Sequence, residues 1–244
     1  MQNHTASIAR EVTGSTEGLE QRAAQLSLEH ANSSAQEIIR AAIEDEFAGR
    51  IAMVSSFGAE SAILLKLVSQ VDPDIPVIFL DTQKHFAQTL KYRTQLATKL
   101  GLTNILNIEP DANELANNDP GGTLWRNDPD ACCTIRKVNP LEKILDGFDA
   151  WFTGRKQFHG GLRGKLPFFD AAPPHIKVNP IVNWSREELD AFSLEHQLPA
   201  HPLVDQGYPS IGCWPCTHPV AKGGDVRDGR WRGAAKTECG IHKG

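Results

Sequence analysis

Arg50-Ile51-Ala52-Met53-Val54-Ser55-Ser56-Phe57-Gly58-Ala59-Glu60-Ser61 is the stretch on which the fold turns. Arg50 to Ser55 reads as a short apolar strand, the small residues and glycine after it as a turn, and Ala62 to Val68 as a helix. The pattern repeats downstream. After Pro73 and Pro76, Val77 to Leu80 is a continuous apolar strand leading into Asp81-Thr82 and a helix from Phe86 to Leu100, and Ile105 to Ile108 is a third strand. Apolar strands alternating with helices predict the α/β class: a parallel sheet with helices on both faces. A ligand then belongs at the carboxyl ends of the strands.

Upstream, Leu19 to His30 reads as a helix, and a second opens at Ser34, where Glu37 completes a capping box. Ile38, Ile39, Ala42, Ile43 and Phe47 fall on one face of it. Downstream, the polar residues and Gly121-Gly122 predict a loop from Asp111 to Asp130, followed by a helical stretch from Ala131 to Leu145. Trp151 to Gly154 reads as a buried strand ending at Arg155. Pro173-Pro174 predicts irregular chain from Pro167 to Pro180. Ser185 and Glu188 form another capping box, opening a helix toward Leu198, and the chain after Pro202 is rich in turns. The expected organisation is a loose arm over 1–18, an α/β domain over 19–205 and an irregular C-terminal tail over 206–244.

The chain of 244 residues carries 25 Lys and Arg against 30 Asp and Glu, a net charge of -5 that gives no general attraction to nucleic acid. Its apolar runs are too short to cross a bilayer and the polar opening lacks a signal-peptide core, so a cytoplasmic protein is expected. Five cysteines are too few for a disulfide scaffold, and an odd number leaves at least one unpaired.

Ser55 through Ser61 offers hydroxyls, backbone N–H groups and a following helix N-terminus to an anion, without the lysine of a phosphate-cleaving loop. A helix cap after a buried strand accounts for the same residues. Leu80-Asp81-Thr82, at the next strand's end, is placed for a ribose or base contact. Cys132-Cys133 and Cys213-x-x-Cys216 could together supply four soft ligands, and spacing alone does not choose between zinc and a 4Fe-4S cluster. A buried doublet and a redox dithiol are the plainer readings. Basic residues gather near these cysteines: Arg136, Lys137, Arg155, Lys156, Arg163, Lys165, Lys222, Arg227, Arg230, Arg232 and Lys236. Arginine forks suit phosphate and sulfate oxygens, which favours an anionic small molecule. Cys239, in Glu238-Cys239-Gly240-Ile241-His242, is a tail thiol that basic neighbours could turn into a nucleophile. His242 beside it could serve as a base, orient the tail, or simply be solvated.

These motifs, in this order, resemble the assimilatory adenylyl-sulfate reductases of the phosphoadenylyl-sulfate reductase family. The resemblance runs from Glu37 to His242. It rests on the loop Ser55 to Ser61, Leu80-Asp81-Thr82, Cys132-Cys133-Thr134-Ile135-Arg136-Lys137, Gly212-Cys213-Trp214-Pro215-Cys216-Thr217, Gly229-Arg230-Trp231 and Lys236 through His242. It implies an adenine nucleotide α-hydrolase-like sheet, nucleotide contacts from Ser55, Ser56, Phe57, Gly58, Ala59, Glu60, Ser61, Leu80, Asp81 and Thr82, and one 4Fe-4S cluster on Cys132, Cys133, Cys213 and Cys216. Cys239 would be the nucleophile, with Lys137, Arg227, Arg230 and His242 completing the catalytic set. The implied reaction converts adenylyl sulfate to sulfite and AMP with reduced thioredoxin, and the expected partners are those two molecules and further copies of the chain. Gln83 departs from a common glycine, Ile241 from a common leucine, and Lys156 to Phe169 is atypical. The competing readings are a phosphoadenylyl-sulfate or dual-substrate reductase, an adenylyltransferase of the same broad fold, and a zinc-stabilised nucleotide-binding regulator without turnover.

Overall fold

A computed structural model describes residues 16–160, 163–232, 236 and 238–242. Six strands form one sheet: β1 (Ile51–Val54), β2 (Val77–Leu80), β3 (Ile105–Ile108), β4 (Ala150–Phe152), β5 (Phe169–Ala172) and β6 (His175–Val178), in the order β3-β2-β1-β4-β6-β5. All pairs are parallel except the edge hairpin β5–β6. The predicted parallel α/β sheet is thus present with one antiparallel edge strand. The order reverses direction between β1 and β4, and a crevice opens beyond their carboxyl ends.

Alternation along the strands divides the core in two. Ile51, Met53, Val77, Phe79, Ala150, Phe152, Ile176 and Val178 face one layer; Ala52, Ile78, Leu80 and Trp151 face the other, against Leu141 and Leu145. The first layer is closed by α1 (Thr16–Glu29), which buries Leu19, Ala23 and Leu26 on one face, by α2 (Ala35–Arg40), and by α3 (Ser61–Ser69), which buries six of its nine residues. Ser27 fastens α1 to the sheet edge, its hydroxyl donating to the Phe169 carbonyl and accepting from the Phe169 N–H, both at 3.0 Å. The Ser34–Glu37 capping box forms as read, and a π-helical turn, Ala41–Glu46, continues α2 and buries Ala42.

The helix after β2, α4 (Ala87–Leu100), ends at Gly101 in the left-handed region, and the β2 and β3 bounds coincide with those read from the sequence. Two expectations fail. The stretch Asp111 to Asp130 is not a loop: it holds α5 (Ala112–Asn118), α6 (Leu124–Asn127) and the start of α7 (Pro129–Cys133). Asp111 caps α5 through the Glu114 N–H and Asp128 caps α7 through the Ala131 N–H. Nor is Pro167 to Pro180 irregular, because Pro173-Pro174 fills the two turn positions between β5 and β6, where no ladder N–H is needed.

The helical stretch around the cysteines is built from α7, a π-helical turn Thr134–Val138 and α8 (Asn139–Leu145). The predicted box of Ser185 and Glu188 caps α9 (Arg186–Glu195). Gln83 has φ +58, in the left-handed region that glycine enters without steric cost. No helix among the described residues is long and apolar enough to cross a membrane. Residues 1–15 of the expected arm lie outside the described residues, and α1 begins at Thr16.

Candidate active site

At the switch between β1 and β4 the crevice deepens into a cavity of about 240 Å3. Ser55, Ser56, Gly58, Ala59, Glu60, Ser61 and Leu80 line it together with Lys137, Arg227, Arg230, Cys239 and His242. The structure therefore brings most of the expected nucleotide loop and the whole expected catalytic set to one space. Phe57, Asp81 and Thr82 do not line it. The Phe57 ring is fully buried edge-on against Phe79, and Asp81 accepts from the Gln83 N–H at 2.9 Å. Thr82 is completely buried, with its hydroxyl 3.2 Å from the Cys213 sulfur. Glu60 reaches the cavity ionised and ion-paired: Lys156 and Arg186 each hold one of its oxygens at 2.5 Å, and His159, then Lys156 and Arg186, keep the carboxyl far below its usual range despite burial.

Cys239 sits among cations. Lys137 donates from Nζ to its sulfur at 3.7 Å. A hydrogen bond from Cys133, then Lys137, the Ile241 backbone and Arg230 hold the Cys239 thiol well below its ordinary value, outweighing burial. Lys137 in turn stays charged: burial opposes its charge, but the sulfurs of Cys213, Cys239 and Cys133 raise its pKa. Arg230 stacks on Trp231 at 4.4 Å, donates to Ser210 Oγ at 3.3 Å and packs over Gly212, where a Cβ would stand 2.3 Å from its Nη2. Its Nε is buried without a partner. His242 stacks on Trp151 at 6.1 Å, and burial first, then Arg155, Arg163, Lys177 and Arg227, depress its pKa so that the ring is neutral.

Several residues acquire roles that the sequence did not assign. Glu238 receives both nitrogens of the Arg163 fork, at 2.6 and 2.8 Å, and Arg227 at 3.4 Å. Arg155 is buried against Thr153, Asp170 and Asn179, and Arg136 joins the Thr82 carbonyl at 3.0 Å to the Asp119 carboxylate at 2.7 Å, so both brace the site from behind. Lys165, Lys222 and Arg232 are exposed and take no part in the cavity. Only the position of Glu238 inside the Glu238-to-His242 motif hinted at its involvement.

The expectation of a 4Fe-4S cluster, and with it an iron–sulfur, metal-binding protein, is corrected. Cys132, Cys133, Cys213 and Cys216 line one cavity of about 20 Å3 as free thiols, and two of them turn to other groups: the Cys133 thiol toward the Cys239 sulfur by a hydrogen bond, and the Cys213 sulfur to the Thr82 hydroxyl at 3.2 Å. The Cys239 hydrogen bond and burial push the Cys133 thiol up, and burial pushes Cys132 and Cys216 up, whereas ligation needs thiolates. Among the described residues no group of three or more His, Cys, Asp or Glu is placed to hold a metal ion, so the zinc reading has no site either.

The profile of the phosphoadenosine phosphosulfate reductase domain matches residues 50–219, from the strand before the loop to beyond the second cysteine pair. The chain belongs to the phosphoadenosine phosphosulfate reductase family. Within it, the chain is 46% identical over 223 residues to adenosine 5'-phosphosulfate reductase of Chelativorans sp., with 90% of each chain covered. It is 47% identical over 226 residues to the protein of that name from Mesorhizobium japonicum, covering 93% of this chain and 89% of the other. In structure it is similar to the phosphoadenylyl-sulfate reductase of Candida auris, with TM-score 0.70, 27% identity, and 81% of this chain and 97% of that one covered. Candida glabrata FMN adenylyltransferase, at TM-score 0.52 and 14% identity, shares the fold alone.

Proposed function

We propose that Cys239 is the nucleophile with which this enzyme carries out the adenylyl-sulfate reductase reaction of sulfate assimilation. The supporting observation is the Cys239 sulfur, 3.7 Å from the Lys137 ammonium, in the cavity that the Ser55-to-Ser61 loop also lines. The loop holds the nucleotide phosphate and directs the sulfate toward the tail. The thiolate attacks the sulfate sulfur; a new S–S bond forms, the bond from sulfur to the phosphate oxygen breaks, and its electron pair leaves on AMP. Lys137 and Arg230 face the oxygens whose charge changes in that transfer. Neutral His242, stacked on Trp151, fixes the end of the tail.

The product is S-sulfocysteine, still at the oxidation level of sulfate. Reduced thioredoxin supplies the two electrons: one of its thiolates attacks the Cys239 sulfur, sulfite departs with the S–S electron pair, and the second thiol releases Cys239 from the mixed disulfide. An α/β body over 19–205 that binds nucleotide and a tail from 206 that carries the nucleophile suit this division of work. Turnover of adenylyl sulfate against phosphoadenylyl sulfate, with reduced thioredoxin, tests the substrate assignment. Adenylyl sulfate should have the higher kcat/KM, and a preference for the 3'-phosphorylated compound would contradict it.

A further inference from the structure

The cations around the cavity fall into two groups. Lys137 donates to the Cys239 sulfur, Arg230 lines the same cavity and acts on that sulfur through its charge, and neither has a carboxylate partner among the described contacts. Arg163 and Arg227 both point to one carboxylate, that of Glu238. Glu238 is the residue immediately before the nucleophile, and a bidentate guanidinium–carboxylate pair fixes distance and plane together. Arg163 belongs to the body of the protein and lies 75 positions earlier in the chain, so this pair ties the tail to the body directly beside Cys239. On the other side of Cys239, Gly240 packs so closely that a Cβ there would come within 2.9 Å of Val138, and the His242 N–H returns to the Cys239 carbonyl at 3.0 Å.

We propose that Glu238 is a positioning residue: its pair with Arg163, supported by Arg227, latches the tail so that the Cys239 sulfur sits between Lys137 and Arg230. Arg163 and Arg227 are thereby assigned to holding the tail, and Lys137 and Arg230 to the transferring group. Both Glu238 and Arg163 side chains are largely shielded from solvent, at 14% and 11% exposure, so the pair is only weakly screened by salt. The proposal rests on the reading of Cys239 as the nucleophile.

The test compares Glu238→Gln, Glu238→Asp and Arg163→Met with the parent in three measurements: AMP binding, the iodoacetamide alkylation rate of Cys239 without substrate, and the single-turnover rate of SO3 transfer to Cys239. Glu238→Gln should alkylate about tenfold faster or more, because the sulfur spends more time outside the cavity, and transfer SO3 at least tenfold more slowly, with AMP affinity unchanged. Glu238→Asp should recover part of both losses. Arg163→Met in the Glu238→Gln background should add little, since the two residues act as one unit. Parental alkylation and transfer rates in Glu238→Gln, fully additive effects of the two substitutions, or loss of AMP binding with Glu238→Gln would each overturn the latch. If the parent itself takes no SO3 on Cys239, it is the assignment of the nucleophile that fails instead.

Discussion

The Lys137 ammonium lies 3.7 Å from the Cys239 sulfur, across 102 positions of sequence. The π-helical turn Thr134–Val138 carries the lysine into the cavity, and the tail brings the cysteine to meet it. A cation at that distance favours thiolate over thiol, and part of the depression of the Cys239 pKa comes from it. Lys137→Met should therefore move the pH profile of Cys239 alkylation to higher pH by about one unit, a tenfold loss of reactivity at pH values on the protonated side of the profile. An unchanged profile would show that the lysine does not act on the sulfur.

Arg230 offers a second, independent prediction through Gly212. A methyl group at Gly212 would stand 2.3 Å from Arg230 Nη2, so the guanidinium must move while the backbone can remain. Gly212→Ala should lower kcat/KM for adenylyl sulfate by about 10- to 100-fold, the same effect expected of Arg230→Ala, with little loss of thermal stability. Parental kinetics in Gly212→Ala would indicate that the guanidinium has no exact position to keep.

Behind the site, Arg136 and Asp119 form an ion pair in which both side chains are buried, 5% and 2% exposed. Removing the carboxylate leaves a buried guanidinium with only the Thr82 carbonyl. Asp119→Ala should cost about 3 kcal/mol of folding stability, read from urea unfolding, and loosen the Thr82 segment. A loss below about 1 kcal/mol would mean that water reaches the pair.

His201 makes stability depend on pH. It is fully buried; the Leu203 N–H donates to its Nδ1 at 3.2 Å and its Nε2 lies 3.0 Å from the Thr89 hydroxyl, an arrangement that suits the neutral ring. Burial pushes its pKa down to about 4 from 6.5. The unfolded chain therefore takes up a proton before the folded one does. The contribution is complete above pH 6.5 and disappears as pH falls to about 4, about 3 kcal/mol in all. The urea midpoint should fall across that window in the parent and less steeply in His201→Gln; equal slopes would remove His201 as the cause.

Strands β1 to β4 were legible in the sequence because each is a short apolar run ended by turn residues: Val77 to Leu80 needed no help from context. The two boxes at Ser34 and Ser185 were legible because capping is local chemistry. Helices α5 and α6 bury none of their residues, so no periodicity announced them. Pro173-Pro174 predicts irregular chain from Pro167 to Pro180, whereas a hairpin needs a break of only two residues. In the site, the residue types of the Glu238-to-His242 motif pointed to a nucleophile, but its meeting with Lys137 is tertiary. The cysteine doublet misled for the same reason: spacing did not reveal that Cys133 turns to Cys239 and Cys213 to Thr82.

The central claim is covalent and is read most directly by mass. Protein incubated with adenylyl sulfate alone, without thioredoxin, should gain the mass of one SO3 group on the peptide containing Cys239, release one equivalent of AMP, and lose the added mass on treatment with a dithiol. Cys239→Ser should still bind AMP yet gain nothing, because a hydroxyl is a far weaker nucleophile near neutral pH. Added mass on Cys132, Cys133, Cys213 or Cys216 instead, or sulfite release by Cys239→Ser at the parental rate, would contradict the account.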